Sequence, residues 1–131
     1  MLRIAALTGR YVPERRNGGI AAVLANLQAA WQEAEQAQLD VWTLHAENKN
    51  DKLCLQVPRV PLEGVIGALW FGLRGSANSY QIVFPQHAEM ALVPTRRPIV
   101  CFVHTVTSLE QDNKPPAWKL VLMAWERLGL K

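Results

Sequence analysis

The chain has 131 residues, half of them hydrophobic, which predicts one domain with an apolar core of its own. Fourteen basic against eleven acidic residues give a formal charge of +3, which suits a small anion or an acidic membrane as well as a nucleic acid. Cys54 and Cys101 lack CxxC spacing, which argues against a zinc or redox motif and favours buried, reduced thiols. No signal peptide or membrane-length apolar run is evident, so we expect a cytoplasmic protein, either free or peripheral to a membrane.

The first predicted elements are a strand and a helix joined by a polar loop. Residues 2–8, LRIAALT, form a nearly continuous apolar run, which is typical of a strand buried on both faces of a parallel sheet. The loop runs from there through Pro13 to Gly19. From Ile20 to about Ala37 the apolar residues recur at helical spacing, which predicts an amphipathic helix.

The rest of the chain continues to alternate between the two kinds of element. We predict strands at residues 39–45, 53–57, 80–85 and 98–104, a buried helix within residues 62–75, and an amphipathic last helix from Pro115 onward. This alternation predicts one α/β domain spanning residues 1–131. We expect it to be Rossmann-like and doubly wound, with a mostly parallel sheet of about five strands and helices on both faces.

All three histidines follow predicted strands, and ligands of open α/β sheets bind beyond the carboxyl ends of the strands. His104 meets a polar loop and is the strongest candidate for a ligand contact, followed by His87. His45 begins what reads as an ordinary solvated turn. The alternative for each is a structural histidine. No carboxylate or cysteine shows ligand spacing around them, so we expect no metal.

Gly18 and Gly19 stand at the start of the first helix, where unpaired N–H groups and the helix dipole favour an anion. Arg16, beside them, is the arginine best placed to meet that anion. The alternatives are a tight turn and a solvated loop. The chain contains no GxGxxG, GxxxxGK[ST] or GxSxG motif, which excludes the corresponding enzyme signatures. The tryptophans on predicted helices lie on apolar faces, so we expect no nucleic-acid partner.

Several stretches taken together resemble a known family. The first strand and the following RYVPERRNGGIAAVLANLQAAWQEAEQAQLDVWTL are similar to the amino-terminal domain of family-4-type retaining glycosyltransferases, which have the two-Rossmann-domain GT-B architecture. SYQIVFPQHAE resembles the family's strand that ends in a histidine-bearing loop, and RRPIVCFVHT resembles its P-V-V-x-T-x-H strand. The resemblance covers residues 3–128.

The resemblance implies roles for the candidate residues. Gly18 and Gly19 would contact the donor's phosphates or the acceptor, and His104 would be the catalytic residue in the cleft near the transferred sugar. On the acceptor side the resemblance places Gln86, His87 and Glu89. In such enzymes transfer retains the anomeric configuration, needs no bound metal or cofactor, and uses a nucleotide sugar held mainly by the carboxy-terminal domain.

The chain ends at WERLGLK, where the family would cross to its second domain. We therefore expect it to be inactive alone and to act with a carboxy-terminal domain or partner chain on a sugar or lipid acceptor. One alternative is a non-catalytic Rossmann-like binding or scaffold module. A weaker one is a flavodoxin-like nucleotide-binding domain. We also expect a bare apolar surface, with the alternative that all its members are core: Trp70, Phe71, Trp118 and Trp125.

Overall fold

The computed structural model describes residues 1–9, 19–46 and 53–102, together with Ala124, Arg127 and Leu128. Within them the chain forms β1 (Leu2–Thr8), α1 (Gly19–Glu33), β2 (Ala37–Thr43), α2 (Glu63–Leu73) and β3 (Ile82–Pro85), with 3₁₀ turns at Ser76–Ser79 and Ala88–Met90. The strands are parallel and lie in the order β2–β1–β3. The described chain is therefore an α/β fold around a parallel sheet, as the sequence predicts.

Burial of β1 on both faces is confirmed. Ile4 and Ala6 pack in a cluster with α1, whereas Ala5 and Leu7 pack in a second cluster with α2. Because alternate side chains of a strand point to opposite faces, these two clusters place the two helices on opposite faces of the sheet. β1 pairs along its whole length with β2, and Ile4 to Leu7 pair with β3.

The helix α1 ends earlier, and β2 begins earlier, than the sequence predicts. The helix ends at Glu33 rather than near Ala37, and Glu35 takes a left-handed φ of 52°. The N–H of Gln36 then donates to the carbonyl of Trp31, which closes the helix end in the manner of a Schellman motif. Residues 37–43 pair with β1 along their whole length and are strand, whereas the sequence predicts the helix to about Ala37 and the strand from Leu39.

Two glycines of α2 lie where neighbouring residues come very close to the helix backbone. A methyl group placed on Gly67 would collide with the side chain of Leu44, and one on Gly72 would stand 2.5 Å from the ring of Pro94. Glycine weakens a helix, but here it lets α2 lie close to the end of β2 and to the loop after β3. Phe71 of this helix is fully buried and Trp70 packs against the same cluster, so neither supplies the bare apolar surface that we expected. Trp118 and Trp125 lie outside the described residues.

The expected count of about five strands is wrong for the described residues, which contain three. Predicted strand 53–57 keeps one parallel bridge, between Cys54 and Thr43, and predicted strand 98–104 keeps one, between Ile99 and Val83. In the first segment Gln56 has a φ of 53°, which interrupts an extended chain. Predicted strand 80–85 is shortened to residues 82–85.

The last predicted helix is placed only in part. Ala124, Arg127 and Leu128 are helical, and the remainder from Pro115 onward lies outside the described residues. Over the described part of the chain, no helix combines the length and the apolar character that crossing a bilayer requires.

A polar network connects Arg3 of β1 and residues of β2 to Tyr80, which precedes β3. Asp40 accepts hydrogen bonds from Arg3 at 3.3 Å, from Gln38 at 3.0 Å and from the hydroxyl of Tyr80 at 3.0 Å. That hydroxyl accepts a further bond from the indole N–H of Trp42, also at 3.0 Å. Burial raises the pKa of Tyr80, and the charge of Asp40 adds to this, while the Trp42 bond lowers the pKa in part.

We expect Tyr80→Phe to lower the free energy of unfolding by about 1–2 kcal/mol near neutral pH, because Asp40 loses a donor and Trp42 loses its acceptor. A raised pKa means that the folded state favours the neutral phenol. The stability that comes from this preference is complete below the ordinary tyrosine pKa of about 10, and it is lost as pH rises through the pKa of Tyr80 in the folded state. Urea unfolding at neutral and alkaline pH measures both effects. The variant should lose less stability in alkali than the wild type, and equal losses would contradict the assignment.

Candidate functional site

The carboxyl ends of β1 and β3 meet at the point where the strand order reverses. The chain passes from β1 to β2 through α1, and after α2 it returns to the other side of β1 to form β3. The N–H of Gln86 donates to the carbonyl of Leu7 at 3.0 Å, so the two strand ends lie side by side. In open α/β sheets this reversal point is where ligands bind. The fold therefore locates the candidate site beyond the carboxyl ends of β1 and β3.

Gly19 begins α1 at this edge of the sheet, as the sequence predicts. It is exposed, and a methyl group placed on it would meet no described atom within 4 Å. Among the described glycines only Gly75 has a left-handed φ, so backbone conformation does not require glycine at position 19. Within the described residues, the start of α1 is therefore uncrowded at Gly19. Gly18, Arg16 and the candidate catalytic residue His104 lie outside the described residues.

His87 and Glu89 follow β3, and both are half-buried. The carbonyl of His87 accepts the N–H of Met90, which begins the 3₁₀ turn. The side chain of Glu89 reaches α2: its Cγ and Oε1 lie 3.0 and 3.3 Å from the position that a methyl group on Gly64 would take. Gln86 is fully buried, and its amide donates to the carbonyl of Phe84 at 3.2 Å. Gln86 therefore packs inside the fold rather than facing an acceptor.

Sequence reasoning missed an ionisable pair at the end of β2. His45 Nε2 lies 2.7 Å from a carboxylate oxygen of Glu63, and the His45 side chain is only 10% exposed. The side chain of His45 is therefore largely buried, which fits the structural alternative for this histidine, while Ala46 after it is exposed. The backbone N–H of Leu44 donates to the carbonyl of Gly9, which places this end of β2 beside the end of β1. The only sequence signal for the pair was an acidic residue in the first turn of α2, where the helix dipole favours it.

The two cysteines are half-buried rather than buried. Burial raises the pKa of Cys101, and the nearby negative charge of Glu89 raises it further. A raised pKa reduces the thiolate fraction at neutral pH, and the thiolate is the reactive form of cysteine. The arrangement thus agrees with the prediction that Cys101 is not an activated nucleophile.

The described part of the carboxyl edge is acidic around the start of α2. Glu63 occupies its first turn and Glu89 lies over Gly64. Of these two carboxylates, that of Glu63 is already paired with His45. Within the described residues no group of three or more histidine, cysteine or acidic side chains is arranged to hold a metal ion.

A groove of about 340 Å³ lies at the opposite end of the sheet, between α1 and the outer edge of β2. Its walls consist of Met1, Gln28, Gln32, Ala37, Gln38, Leu39 and Asp40. None of these is a predicted site residue, and the groove is lined by the first four residues of β2 rather than by its carboxyl end. We therefore do not assign it to the site at the start of α1.

Comparison with known proteins does not assign the chain to a family. No protein-family model matches it, and no curated protein matches it significantly. A functional assignment therefore depends on the geometry at the carboxyl edge and on the sequence resemblance.

We expect Glu63→Gln to lower the free energy of unfolding by about 1 kcal/mol, because His45 loses a charged partner that is itself partly exposed. Urea unfolding provides the measurement. Glu33→Gln, at an exposed position at the end of α1, is the matched control and should change stability by less than about 0.5 kcal/mol. Equal effects in the two variants would show that the His45 contact contributes nothing.

We expect Cys101 to alkylate slowly at neutral pH in a Cys54→Ser background, with a midpoint of the rate against pH above the ordinary thiol value of about 8.5. Glu89→Gln should shift this midpoint downward, because it removes the negative charge that disfavours the thiolate. Glu33→Gln again serves as the control and should leave the midpoint unchanged. A midpoint that does not respond to Glu89→Gln would contradict the influence of the Glu89 charge on Cys101.

Proposed function

We propose that the chain is the acceptor-side, Rossmann-like half of a retaining glycosyltransferase of the GT-B type. In this proposal it acts together with a nucleotide-sugar domain or a partner chain. The sequence resemblance suggests the family. One structural observation suggests where on the chain the site would lie. Gly19 begins α1 at the carboxyl edge of the central strand, and no described atom lies within 4 Å of a methyl group placed on it.

The start of α1 has the chemistry that a phosphate or a polyol needs. The first N–H groups of a helix have no partners within the helix, and the dipole places partial positive charge there. Gly18 and Arg16 immediately precede this turn in the sequence and would add a backbone donor and a guanidinium group. Such donors stabilise the charge that develops on a leaving diphosphate, which is the role that the resemblance implies.

The neighbouring acidic region supports an acceptor on the same edge. Glu89 and Glu63 lie around the start of α2, and His87 directly follows β3. Sugar hydroxyls donate to carboxylates and to neutral imidazole nitrogens. We therefore assign the acceptor's hydroxyl groups to the side of α2 and the donor's phosphates to the start of α1. His104 takes its place near the transferred sugar from the resemblance alone.

A second candidate is a non-catalytic binding or scaffold module, and exposed apolar side chains after β3 are compatible with it. Val100 is 53% exposed and Phe102 is 46% exposed, beside the buried Phe84. Exposed apolar groups of this kind suit contact with another domain or chain. Such a contact fits both candidates, so ligand binding at the carboxyl edge is what distinguishes them.

We expect nucleotide sugars at millimolar concentration to shift the amide signals of Gly19 and His104 in NMR spectra of the chain. Neutral sugars, tested as acceptors, should shift His87 and Glu89 first. Gly19→Val should weaken nucleotide-sugar binding by about tenfold or more, which corresponds to about 1.4 kcal/mol, because the added side chain blocks close approach to the helix start.

Ala30→Val is the matched control, since it adds the same bulk at an exposed position near the other end of α1. It should bind nucleotide sugars like the wild type. If the amide signals stay unchanged at millimolar nucleotide sugar, the donor does not bind at this edge. The non-catalytic binding module would then be the remaining candidate. Equal weakening in the two valine variants would attribute the loss to the helix rather than to the site.

A further inference from the structure

The outer side of α2 carries leucines where a surface helix ordinarily carries polar residues. The side chains that α2 buries share the inner side of the helix: Gly64, Val65, Gly67, Ala68 and Phe71. At 3.6 residues per turn, the opposite side is occupied by Leu62, Leu69 and Leu73, spaced i, i+7 and i+11. Within the described chain, none of these three belongs to either core cluster. A helix that is apolar on its outer side as well implies a further contact there.

The exposure is greatest at the carboxyl end of α2. Leu73 is 74% exposed, although it is the last residue of a regular helix rather than part of a loop. The next residue, Arg74, is also exposed, and its guanidinium carbon lies 4.8 Å from the ring centre of Trp70. This cation–π contact holds a positive charge beside the protruding leucine.

The segment after β3 brings two more arginines to this end of α2. Pro94 is the residue that comes close to the backbone of Gly72. Three residues later, the guanidinium of Arg97 donates to the carbonyl of Asn78, in the 3₁₀ turn that follows α2, at 3.0 Å. Arg96 and Arg97 are both exposed. The carboxyl end of α2 therefore has three arginines near one exposed leucine.

The acidic residues of this half of the chain lie at the other end of the helix. Glu63 occupies the first turn of α2, and Glu89, the only acidic residue between positions 64 and 102, lies over Gly64. Asp40 is bound to Arg3 in the network described above. The carboxyl end of α2 is therefore positively charged and complements an anionic surface. A two-fold contact with a second copy, centred on the exposed leucine, would oppose arginines to arginines.

We propose that the carboxyl end of α2 binds the surface of a bilayer that contains anionic lipids. The α2 surface, as we call it, consists of Leu69, Leu73, Arg74, Arg96 and Arg97. Leucines of a helix that lies in the plane of a bilayer enter the boundary between headgroups and acyl chains, while arginines pair with lipid phosphates. The 11 residues of α2 span roughly 16 Å, about half of the hydrocarbon thickness, so this contact is peripheral.

Flotation of the full chain with lipid vesicles tests the part played by charge. The wild type should bind vesicles of phosphatidylcholine with about 30% phosphatidylserine, bind pure phosphatidylcholine much less, and dissociate as salt is added. Arg96→Gln should weaken binding to the anionic vesicles about fivefold, because it removes one cation from the α2 surface. Gln32→Glu makes the same change of net charge at an exposed position of α1, on the other face of the sheet, and should leave binding nearly unchanged.

A matched pair of serine variants tests the part played by the exposed leucine. Leu73→Ser should weaken binding to the anionic vesicles about tenfold, because an apolar side chain no longer leaves water on binding. Leu2→Ser changes a leucine that is 39% exposed at the beginning of β1 and should bind like the wild type. Circular dichroism confirms that each variant is folded.

An environment-sensitive fluorophore attached at position 73 identifies the surface that meets the lipid. It is introduced by Leu73→Cys in a Cys54→Ser, Cys101→Ser background, with Gln32→Cys as the matched control. Emission from position 73 should shift to the blue when anionic vesicles are added, whereas emission from position 32 should not. The proposal is overturned if the chain does not bind the anionic vesicles, or if either variant of the α2 surface binds no more weakly than its control. It is also overturned if the label at position 73 becomes buried at rising protein concentration without vesicles, since a second copy would then cover this surface. None of these outcomes depends on whether the carboxyl edge binds a nucleotide sugar.

Discussion

Burial of β1 on both faces is the constraint on which the rest of the described structure depends. Ala5 and Ala6 are completely inaccessible, one facing α2 and the other facing α1. A strand with apolar side chains on both faces can be covered only if a helix lies on each side of the sheet, and parallel strands joined by helices provide this arrangement. The order β2–β1–β3 keeps β1 in the middle, so both faces of the core are centred on it.

The polar side chains of the described structure fall into two groups, one around Asp40 and one beyond the carboxyl ends of the strands. At the amino end Asp40 accepts hydrogen bonds from Arg3, Gln38 and Tyr80, so its charge is used to connect β1, β2 and the segment before β3. At the carboxyl end the charged groups lie around helix starts instead. Glu63 pairs with His45 in the first turn of α2, and α1 begins with the open Gly19. The Asp40 network connects elements of the fold, while Gly19 at the start of α1 is uncrowded by described atoms.

The candidate site was predictable only where a residue's role follows from its place in an element. Gly19 was found because a glycine at a helix start after a central strand has a general physical meaning. The His45–Glu63 pair was missed because residues 18 positions apart meet only after α2 has packed at the end of β2. Gln86 was assigned to the acceptor side by its neighbours in the sequence. The backbone turn after β3 instead directs its side chain into the core.

The sequence by itself determined the type and order of the described elements, because apolar periodicity reflects which faces a segment must bury. It predicted the range of β1 correctly, and it placed Gly19 at the start of the following helix. The tertiary structure decided where α1 stops and how many segments pair as strands, since a ladder requires a neighbour in register and the segment containing Gln56 leaves the extended conformation. It also decided which polar groups meet, because Asp40 and Tyr80, or His45 and Glu63, become neighbours only when helix and sheet pack together.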